Sequence, residues 1–303
     1  MLTNRINTGE VVQDTNIGRS EVRDYIELLK PRVMSLAIFT AIVGMLLVTS
    51  LPNPVLAIFS IIAIGAGAGA AGAINMWYDR DIDSMMDRTK SRPIPSKRVD
   101  PSEAITLGVV LSIFSVLLLS FSANYVASSL LLLSILFYVF VYTIWLKRTT
   151  AQNIVIGGAA GALPPVIGWF AAFGDFNLFP FILFMIIFLW TPPHFWALCL
   201  YRSGDYHKAK VPMLTVVAGK PKTRLYIFLY SVSLVAIVPF PWLFGYLGYL
   251  YLAFSTALSI IFMYFSWCTY KNVEGFPPKL FKYSILYLFL LFLLMPVDKF
   301  LLH

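Results

Sequence analysis

PVLAIFSIIAIGAGAGAAGAINMWYDRDIDSMMD, residues 54–87, decides how this chain folds. Its first 24 residues, 54–77, carry no charged side chain. A helix needs about 20 consecutive apolar residues to cross the hydrocarbon layer of a bilayer. The stretch is therefore predicted to be a membrane-spanning helix, and acidic side chains begin directly beyond it.

The whole chain shares this apolar character. Of its 303 residues, 59% are apolar and only 13% are charged, about half the charged fraction of a soluble domain. One soluble core cannot bury so much apolar surface, which predicts the lipid bilayer as solvent. The net charge of +8 could suggest nucleic acid, but in a membrane protein it reflects cytoplasmic Lys and Arg. No nucleic-acid partner is expected.

The sequence predicts an all-α, polytopic membrane protein with nine transmembrane helices. Residues 1–31 read as a cytoplasmic tail, and residues 32–303 as a single transmembrane domain. The predicted spans are 33–50, 54–77, 104–122, 124–145, 152–173, 178–201, 225–245, 249–270 and 281–301.

The basic residues predict the orientation. With Lys282 at the start of the ninth predicted span included, 22 of the 23 Lys and Arg fall before the first span or in alternate loops, and the other loops contain none. Since cytoplasmic loops carry the excess of Lys and Arg, the N-terminus is placed in the cytoplasm and the C-terminus outside, across a bacterial inner membrane or its equivalent.

Two long charged loops suggest an internal repeat. They follow the second and sixth spans, and each places an aspartate shortly after a helix end, Asp79 and Asp205. We therefore expect two four-helix halves plus a ninth helix around a central cavity. Duplicated halves commonly place a ligand site where they meet.

An acidic ladder follows the second span. Asn75, Asp79, Asp83 and Asp87 recur every four residues, so on a helix they would lie on one face. Oxygen ligands of this kind suit Mg²⁺, which usually binds through few carboxylates and substrate phosphates. The alternative is a solvated loop of mixed charge, but a polar group inside an apolar span, as at Asn75, indicates function.

Cations surround the ladder. Basic side chains beside carboxylates are expected where a Mg²⁺-bound diphosphate lies between them. The second loop offers Asp205 but has Ala209 four residues further on, so the first half is expected to bind more of the metal. The predicted diphosphate-binding residues are Arg88, Lys90, Arg92, Lys147, Arg148, Lys208 and Lys210.

These motifs resemble the intramembrane prenyltransferase superfamily typified by 4-hydroxybenzoate polyprenyltransferase, and within it the subfamily that farnesylates haem. The resemblance covers about residues 22–300. It is carried by LLKPRV (28–33), NMWYDRDID (75–83), RTKSRP (88–93), GGAAGALPPVIGW (157–169), WTPPHFW (190–196) and DYHKAKVPML (205–214).

The resemblance implies that haem B, farnesyl diphosphate and water give haem O and diphosphate. It implies Asn75, Asp79, Asp83 and Asp205 as catalytic groups holding Mg²⁺ on the diphosphate, with Asp87 at most an outer group because the motif ends at Asp83. It also implies haem A synthase as a partner.

His194 is the only histidine inside a predicted span. We expect it to contact haem, together with Trp190 and Trp196, because haem iron often takes a histidine ligand. The alternative is a buried histidine bonded to a carbonyl freed by Pro192 and Pro193.

Three other functions are considered. Prenyl transfer to a quinone precursor is disfavoured by Ala209, where quinone-type relatives usually carry an aspartate. A transporter or channel would place charge deep within several spans, whereas nearly all charge here lies at cytoplasmic helix ends. A non-catalytic haem-binding subunit would not need the acidic ladder.

Overall fold

The computed structural model describes residues 20–302, and within that range the chain is helical with no strand. Eight helical stretches are long and apolar enough to cross a membrane, and the bent pair of the first two helices makes a ninth if it crosses as one span. The predicted all-α membrane fold is confirmed, with eight or nine candidate spans in the described residues. In chain order the helices are α1 (Val22–Leu28), α2 (Pro31–Leu46), α3 (Pro54–Tyr78), α4 (Arg80–Met85), α5 (Pro101–Ser122), α6 (Tyr125–Leu136), a π-helix (Phe137–Leu146), α7 (Lys147–Thr149), α8 (Asn153–Ala162), α9 (Pro164–Ala171), α10 (Leu178–Tyr201), α11 (Ser203–Lys208), α12 (Leu214–Val217), α13 (Gly219–Ile237), α14 (Phe240–Leu243), α15 (Tyr249–Tyr270) and α16 (Phe276–Leu302).

The packing of the spans has the expected two-part form. In the first half α3 packs along α5, and in the second half α10 packs along α13. The first spans of the two halves meet through α2 and α9. The ninth span, α16, packs against α15, α10 and α2, and so joins the end of the second half to the start of the first.

Two glycines allow α2 and α9 to touch through their backbones. A Cβ placed on Gly168 would lie 2.0 Å from the carbonyl oxygen of Ala41, and a Cβ on Gly44 would lie 2.1 Å from that of Pro165. Membrane helices pack closely where small residues let the backbones approach. Gly44 and Gly168 therefore permit a close backbone contact between the two halves.

The short helix α1 lies within the stretch predicted as a tail. It meets α2 at an angle of 58°, and the break is at Lys30, whose backbone has a positive φ of 52°. Arg98 anchors α1 by donating hydrogen bonds to Asp24 and Glu27, and Leu28 is fully buried. Residues 1–19 of the predicted tail lie outside the described residues.

Two adjacent residues of α16 fasten other helices at the opposite end of the bundle. Asp298, fully buried, accepts the backbone N–H of Tyr251 at 2.9 Å and that of Gly248. It thereby satisfies donors at the start of α15 that have no partner within the helix. Lys299 donates to the carbonyl oxygens of Leu46 and Val48, at the end of α2.

Candidate active site

Asn75, Asp79 and Asp83 lie on one face at the C-terminal end of α3, as the spacing predicts. Asp79 separates α3 from α4, yet the helical hydrogen bonds continue through it. Its N–H donates to the Asn75 carbonyl at 2.9 Å, and the Asp83 N–H donates to the Asp79 carbonyl at 2.8 Å. The three side chains are buried, with exposed fractions of 3%, 0% and 2%.

Asp87, the fourth residue of the acidic ladder, does not lie on the same face as the other three, contrary to the prediction. Helix α4 ends at Met85, and Met86 has an extended backbone, so Asp87 turns away from the face. Asp87 is exposed and pairs with Lys90 at 2.8 Å and with Lys208 at 3.3 Å. Hydrogen bonds from Lys90 and then Lys208 lower the pKa of Asp87 below its ordinary value. The contact between Asp87 and Lys208 links the two long loops at the surface.

Asn75, Asp79 and Asp83 each accept a hydrogen bond from a different cationic side chain. Lys30 donates to Oδ1 of Asn75, Lys147 donates to Oδ2 of Asp79, and Arg92 Nη1 donates to Oδ2 of Asp83 at 2.6 Å. The three cations come from three separate places: the break between α1 and α2, helix α7, and the loop after α4. A polar cluster with three cations and two carboxylates therefore sits at the end of an apolar helix.

Thr143 fixes the orientation of the Asn75 amide. The Asn75 Nδ2 donates to Thr143 Oγ1 at 2.9 Å and to Asp79 Oδ2 at 2.7 Å, which leaves Oδ1 to Lys30. Thr143 lies in the π-helix, and Lys147 follows directly after it. Helical segments of this wider type occur frequently at functional sites.

Arg148 links Asp81 to the same cluster. Its guanidinium donates to both carboxylate oxygens of Asp81, at 2.7 and 2.8 Å, and to the Tyr78 carbonyl at 3.0 Å. It also lies 3.7 Å from Oδ1 of Asp79. Hydrogen bonding to Arg148 lowers the pKa of Asp81. Asp81, which lies off the ladder face, thus holds Arg148 against the site.

Asp205 is placed differently from Asp79. Asp79 is itself the break between two helices, whereas the break after α10 falls at Arg202, and Asp205 lies in the first turn of α11. Asp205 is 9% exposed, and its Oδ2 is buried without a hydrogen-bond partner. The predicted cations Arg88, Lys90, Lys208 and Lys210 are all exposed on the same two loops.

The donor set fits a hard cation held jointly with a substrate. Within residues 20–302 no three Asp, Glu, His or Cys side chains gather as a metal site by themselves. Asp79 Oδ1 and Asp205 Oδ2 are buried oxygens with no hydrogen-bond partner. Because Mg²⁺ commonly takes one or two carboxylates plus phosphate oxygens, these oxygens suit Mg²⁺ that also contacts a diphosphate.

A cavity of about 110 Å³ begins beside the cluster and extends into the bundle. Lys30 and Gly72 line it near the ladder, Tyr138 borders it, and Gly161 and Pro164 lie among its deeper residues. A larger apolar groove of about 480 Å³ lies between α3, α5 and the α6–π-helix segment, and none of the ladder side chains lines it. The smaller cavity is therefore the one connected to the charged cluster.

His194 lies in a second buried polar site, between α10 and α16. Its imidazole stacks on Trp190 at 4.3 Å and on Phe281 at 4.7 Å, measured between ring centroids. Its Nδ1 lies 2.6 Å from the hydroxyl of Ser284, not against a carbonyl of its own helix. Helix α10 continues through Pro192 and Pro193.

Trp190 and Trp196 face different neighbours. The Trp190 Nε1 donates to the Ser284 carbonyl at 2.8 Å, on the α16 side. Trp196 is 1% exposed and packs edge-on against Tyr230 of α13 at 5.5 Å. The structure thus brings Trp190, but not Trp196, together with His194.

Three residues of these sites were missing from the predicted sets: Lys30, Thr143 and Ser284. Lys30 carried a signal, since it is a cation directly before the first span in LLKPRV. Thr143 and Ser284 are single hydroxyls within apolar spans, and such residues are too common in membrane helices to be singled out without their neighbours.

The chain is similar to a known family of prenyltransferases. The model of the UbiA prenyltransferase family matches residues 37–293. A protein named protoheme IX farnesyltransferase from Afipia carboxidovorans is 54% identical over 287 residues, covering 93% of this chain and 92% of that protein. One of the same name from Rhodopseudomonas palustris is 56% identical over 281 residues, covering 91% and 90%.

Solved structures show the same fold at low sequence identity. A digeranylgeranylglyceryl phosphate synthase superimposes with a TM-score of 0.75 at 22% identity, covering 91% of this chain and 97% of that one. A UbiA homolog from Archaeoglobus fulgidus, bound to DMAPP and Mg²⁺, gives a TM-score of 0.67 at 15% identity, covering 90% and 99%.

The fold and the matched residues define a multi-pass integral membrane prenyltransferase. The chain belongs to the UbiA prenyltransferase family, and its curated relatives at more than 50% identity carry the name protoheme IX farnesyltransferase.

Proposed function

We propose that this prenyltransferase converts haem B to haem O, using farnesyl diphosphate and water and releasing diphosphate. The observation that carries the proposal is the cluster of buried Asn75, Asp79 and Asp83, each hydrogen-bonded to a cation at one end of the apolar spans. The names of the relatives, at more than 50% identity over nearly the full chain, support the acceptor and the prenyl donor.

The cations of the cluster bind the diphosphate. Lys30, Lys147 and Arg92 are hydrogen-bonded to the ladder. Phosphate oxygens entering between them would replace a neutral amide as the partner of Lys30, and a carboxylate as the partner of Lys147 and of Arg92. Such charge-assisted hydrogen bonds are the strong ones in proteins. The exposed residues Arg88, Lys90, Lys208 and Lys210 extend this positive charge toward the cytoplasm, and Arg148 extends it beside Asp79.

The proposed Mg²⁺ ligands are the carboxylates of Asp79, Asp83 and Asp205 and the side-chain amide oxygen of Asn75. The open oxygens Asp79 Oδ1 and Asp205 Oδ2 support this assignment. Bound Mg²⁺ would supply positive charge to the departing diphosphate oxygens. The solved relative that contains DMAPP and Mg²⁺ supports the same pairing of metal and prenyl diphosphate.

The reaction breaks the allylic C–O bond, and its electron pair leaves with the diphosphate. Preorganised cations stabilise the charge that develops on that leaving group. The farnesyl carbon then bonds to the haem vinyl group, and water captures the new cation beside the porphyrin and releases a proton. The farnesyl chain lies in the cavity lined by Gly72, Tyr138 and Gly161, away from bulk water.

His194 and Trp190 form the proposed haem contact. The stacked aromatic rings around His194 make an apolar wall, and imidazole is a common haem iron ligand. Trp196 packs against α13 and has no direct role in this proposal. Product haem O would pass to haem A synthase as a partner, and the protein would lie in a bacterial inner membrane with its N-terminus in the cytoplasm.

The test is an acceptor assay on the purified full chain. The protein is incubated with labelled farnesyl diphosphate, Mg²⁺ and either haem B or 4-hydroxybenzoate. The extracted products are then identified by mass spectrometry. We expect haem B to gain one farnesyl group and one water, and 4-hydroxybenzoate to remain unmodified. Prenylated hydroxybenzoate without haem O would contradict the proposed acceptor, and activity unaffected by chelator would contradict the metal.

A further inference from the structure

Ser284 connects three groups around His194. Its hydroxyl oxygen lies 2.6 Å from His194 Nδ1 and 2.7 Å from the carbonyl oxygen of Phe281, one turn earlier on α16. Its own carbonyl accepts the Trp190 N–H at 2.8 Å. One residue of the ninth span is thus bonded to both the imidazole of His194 and the indole of Trp190.

These contacts determine which imidazole nitrogen carries the proton. A carbonyl oxygen can only accept a hydrogen bond, so the Ser284 hydroxyl donates to Phe281. A serine hydroxyl has one proton to donate. The short contact with His194 therefore requires Nδ1–H as the donor and the Ser284 oxygen as the acceptor.

The second nitrogen of the ring is left with its lone pair. Neutral imidazole protonated at Nδ1 can accept or ligate only through Nε2. The ring is held in place by its stacking on Trp190 and Phe281, so Nε2 has a fixed direction. Protein groups that fix the tautomer and direction of a metal-binding histidine are recurrent features of metal sites.

We propose that Ser284 is a positioning residue that holds His194 in the Nδ1–H tautomer and presents Nε2 to the iron of bound haem. The inference rests on the proposed function, in which haem is the substrate and His194 contacts it. Ser284 itself does not touch the reacting vinyl group in this scheme. It determines whether haem is bound by nitrogen ligation or only by apolar contact.

The experiment compares Ser284→Ala and Ser284→Thr in the purified full chain with added haem B. In the alanine variant we expect haem affinity to fall about 10-fold or more, as for lost partners of metal-binding histidines. The iron–histidine stretching band of the ferrous complex should shift or disappear. Threonine keeps the hydroxyl and should restore both. Farnesyl diphosphate binding, measured without haem, should be unchanged.

Ser259→Ala is the matched control. Ser259 is another buried serine between spans, hydrogen-bonded to the Tyr287 hydroxyl at 3.1 Å, and its loss tests the effect of removing any buried hydroxyl. A Ser284→Ala spectrum identical to that of the wild type would overturn the positioning role. So would equal spectral changes in Ser284→Ala and Ser259→Ala.

His194→Ala separates this inference from the proposed function. If His194→Ala loses the iron–histidine band while Ser284→Ala keeps it, only the role of Ser284 fails. If His194→Ala keeps the band and haem O is still made, both the ligand and its positioning residue are refuted but the reaction stands. If no variant or wild-type protein makes haem O, the proposed function itself fails.

Discussion

Lys147 donates a hydrogen bond to Oδ2 of Asp79, joining two side chains 68 residues apart in sequence. Asp79 is fully buried and its other oxygen, Oδ1, has no hydrogen-bond partner. A buried carboxylate with one satisfied and one open oxygen is poised to accept a cation, because an unpaired buried oxygen is energetically costly. This geometry makes Asp79 the residue whose charge should matter most.

Asp79→Asn should abolish most farnesyl transfer. The amide keeps the size of the side chain but removes the charge, so we expect a loss of about 100-fold or more in turnover, comparable with removal of a key electrostatic group. Asp87→Asn is the matched control, since Asp87 is exposed and pairs only with surface lysines. Haem O formation, quantified by mass spectrometry at saturating Mg²⁺, should stay near wild type in the control. Comparable losses in the two variants would contradict the proposed role of the buried Asp79 carboxylate.

Lys30→Gln should weaken farnesyl diphosphate binding. Glutamine can still hydrogen-bond Asn75 but cannot pair with phosphate charge, and a hydrogen bond to a charged group contributes about 1.5–3 kcal/mol. That corresponds to an increase in Kd of roughly 10-fold or more. Lys97→Gln is the control, because Lys97 also has a positive φ but is exposed. Calorimetric titration with farnesyl diphosphate and Mg²⁺ distinguishes the two, and equal affinities would remove Lys30 from the site.

Gly168→Ala should destabilise the bundle. Its Cβ would lie 2.0 Å from the Ala41 carbonyl oxygen, and this neighbour is backbone that cannot rotate away. Forced overpacking typically costs about 1–3 kcal/mol. Gly161→Ala makes the same change where the added Cβ meets nothing within 4 Å. The midpoint of thermal unfolding in detergent should fall in the first variant and stay within a few degrees in the second, and a reversed order would contradict the close approach of α2 and α9.

The fold was largely predictable from the sequence, because span number depends on local composition. The uncharged run 54–77 and its counterparts each identify a helix without knowledge of their neighbours. Helix α1 was missed because seven residues of mixed charge carry no clear periodicity. Its stability comes from Arg98 and from burial of Leu28, both tertiary contacts.

The site was predictable only as far as residue types and spacing reach. The stacking of Asn75, Asp79 and Asp83 follows from helical geometry. The departure of Asp87 does not, because it depends on where α4 ends. The partners Thr143 and Ser284 come from spans far away in sequence. Pairwise contacts of that kind are set by packing and leave no local pattern.

Labelling of introduced cysteines should determine the orientation. Cys199 and Cys268 are buried, so a membrane-impermeant maleimide should read mainly the added residue. Ser91→Cys, in the first charged loop, should be labelled only after cells are opened. Phe176→Cys, in a loop without basic residues and 82% exposed, should be labelled in intact cells. The opposite pattern would invert the proposed topology.

Asp298→Asn should weaken the attachment of α15. The carboxylate accepts two backbone N–H groups at the start of that helix, whereas an amide has one accepting oxygen and a donor that faces another donor. Leaving a buried donor unsatisfied costs about 1–3 kcal/mol. Asp175→Asn, at an exposed position, is the control. Unfolding midpoints in detergent measure the difference, and equal midpoints would contradict the capping role.

The adjacent pair Asp298 and Lys299 also bears on how the protein is assembled during synthesis. Helices α2 and α15 are made before α16, yet one end of each is closed by these two residues. Since synthesis and folding proceed from the N-terminus, the early spans enter the bilayer with these ends still open. Insertion of α16 therefore supplies the hydrogen-bond partners for an end of α2 and an end of α15, one helix from each half, from two adjacent residues.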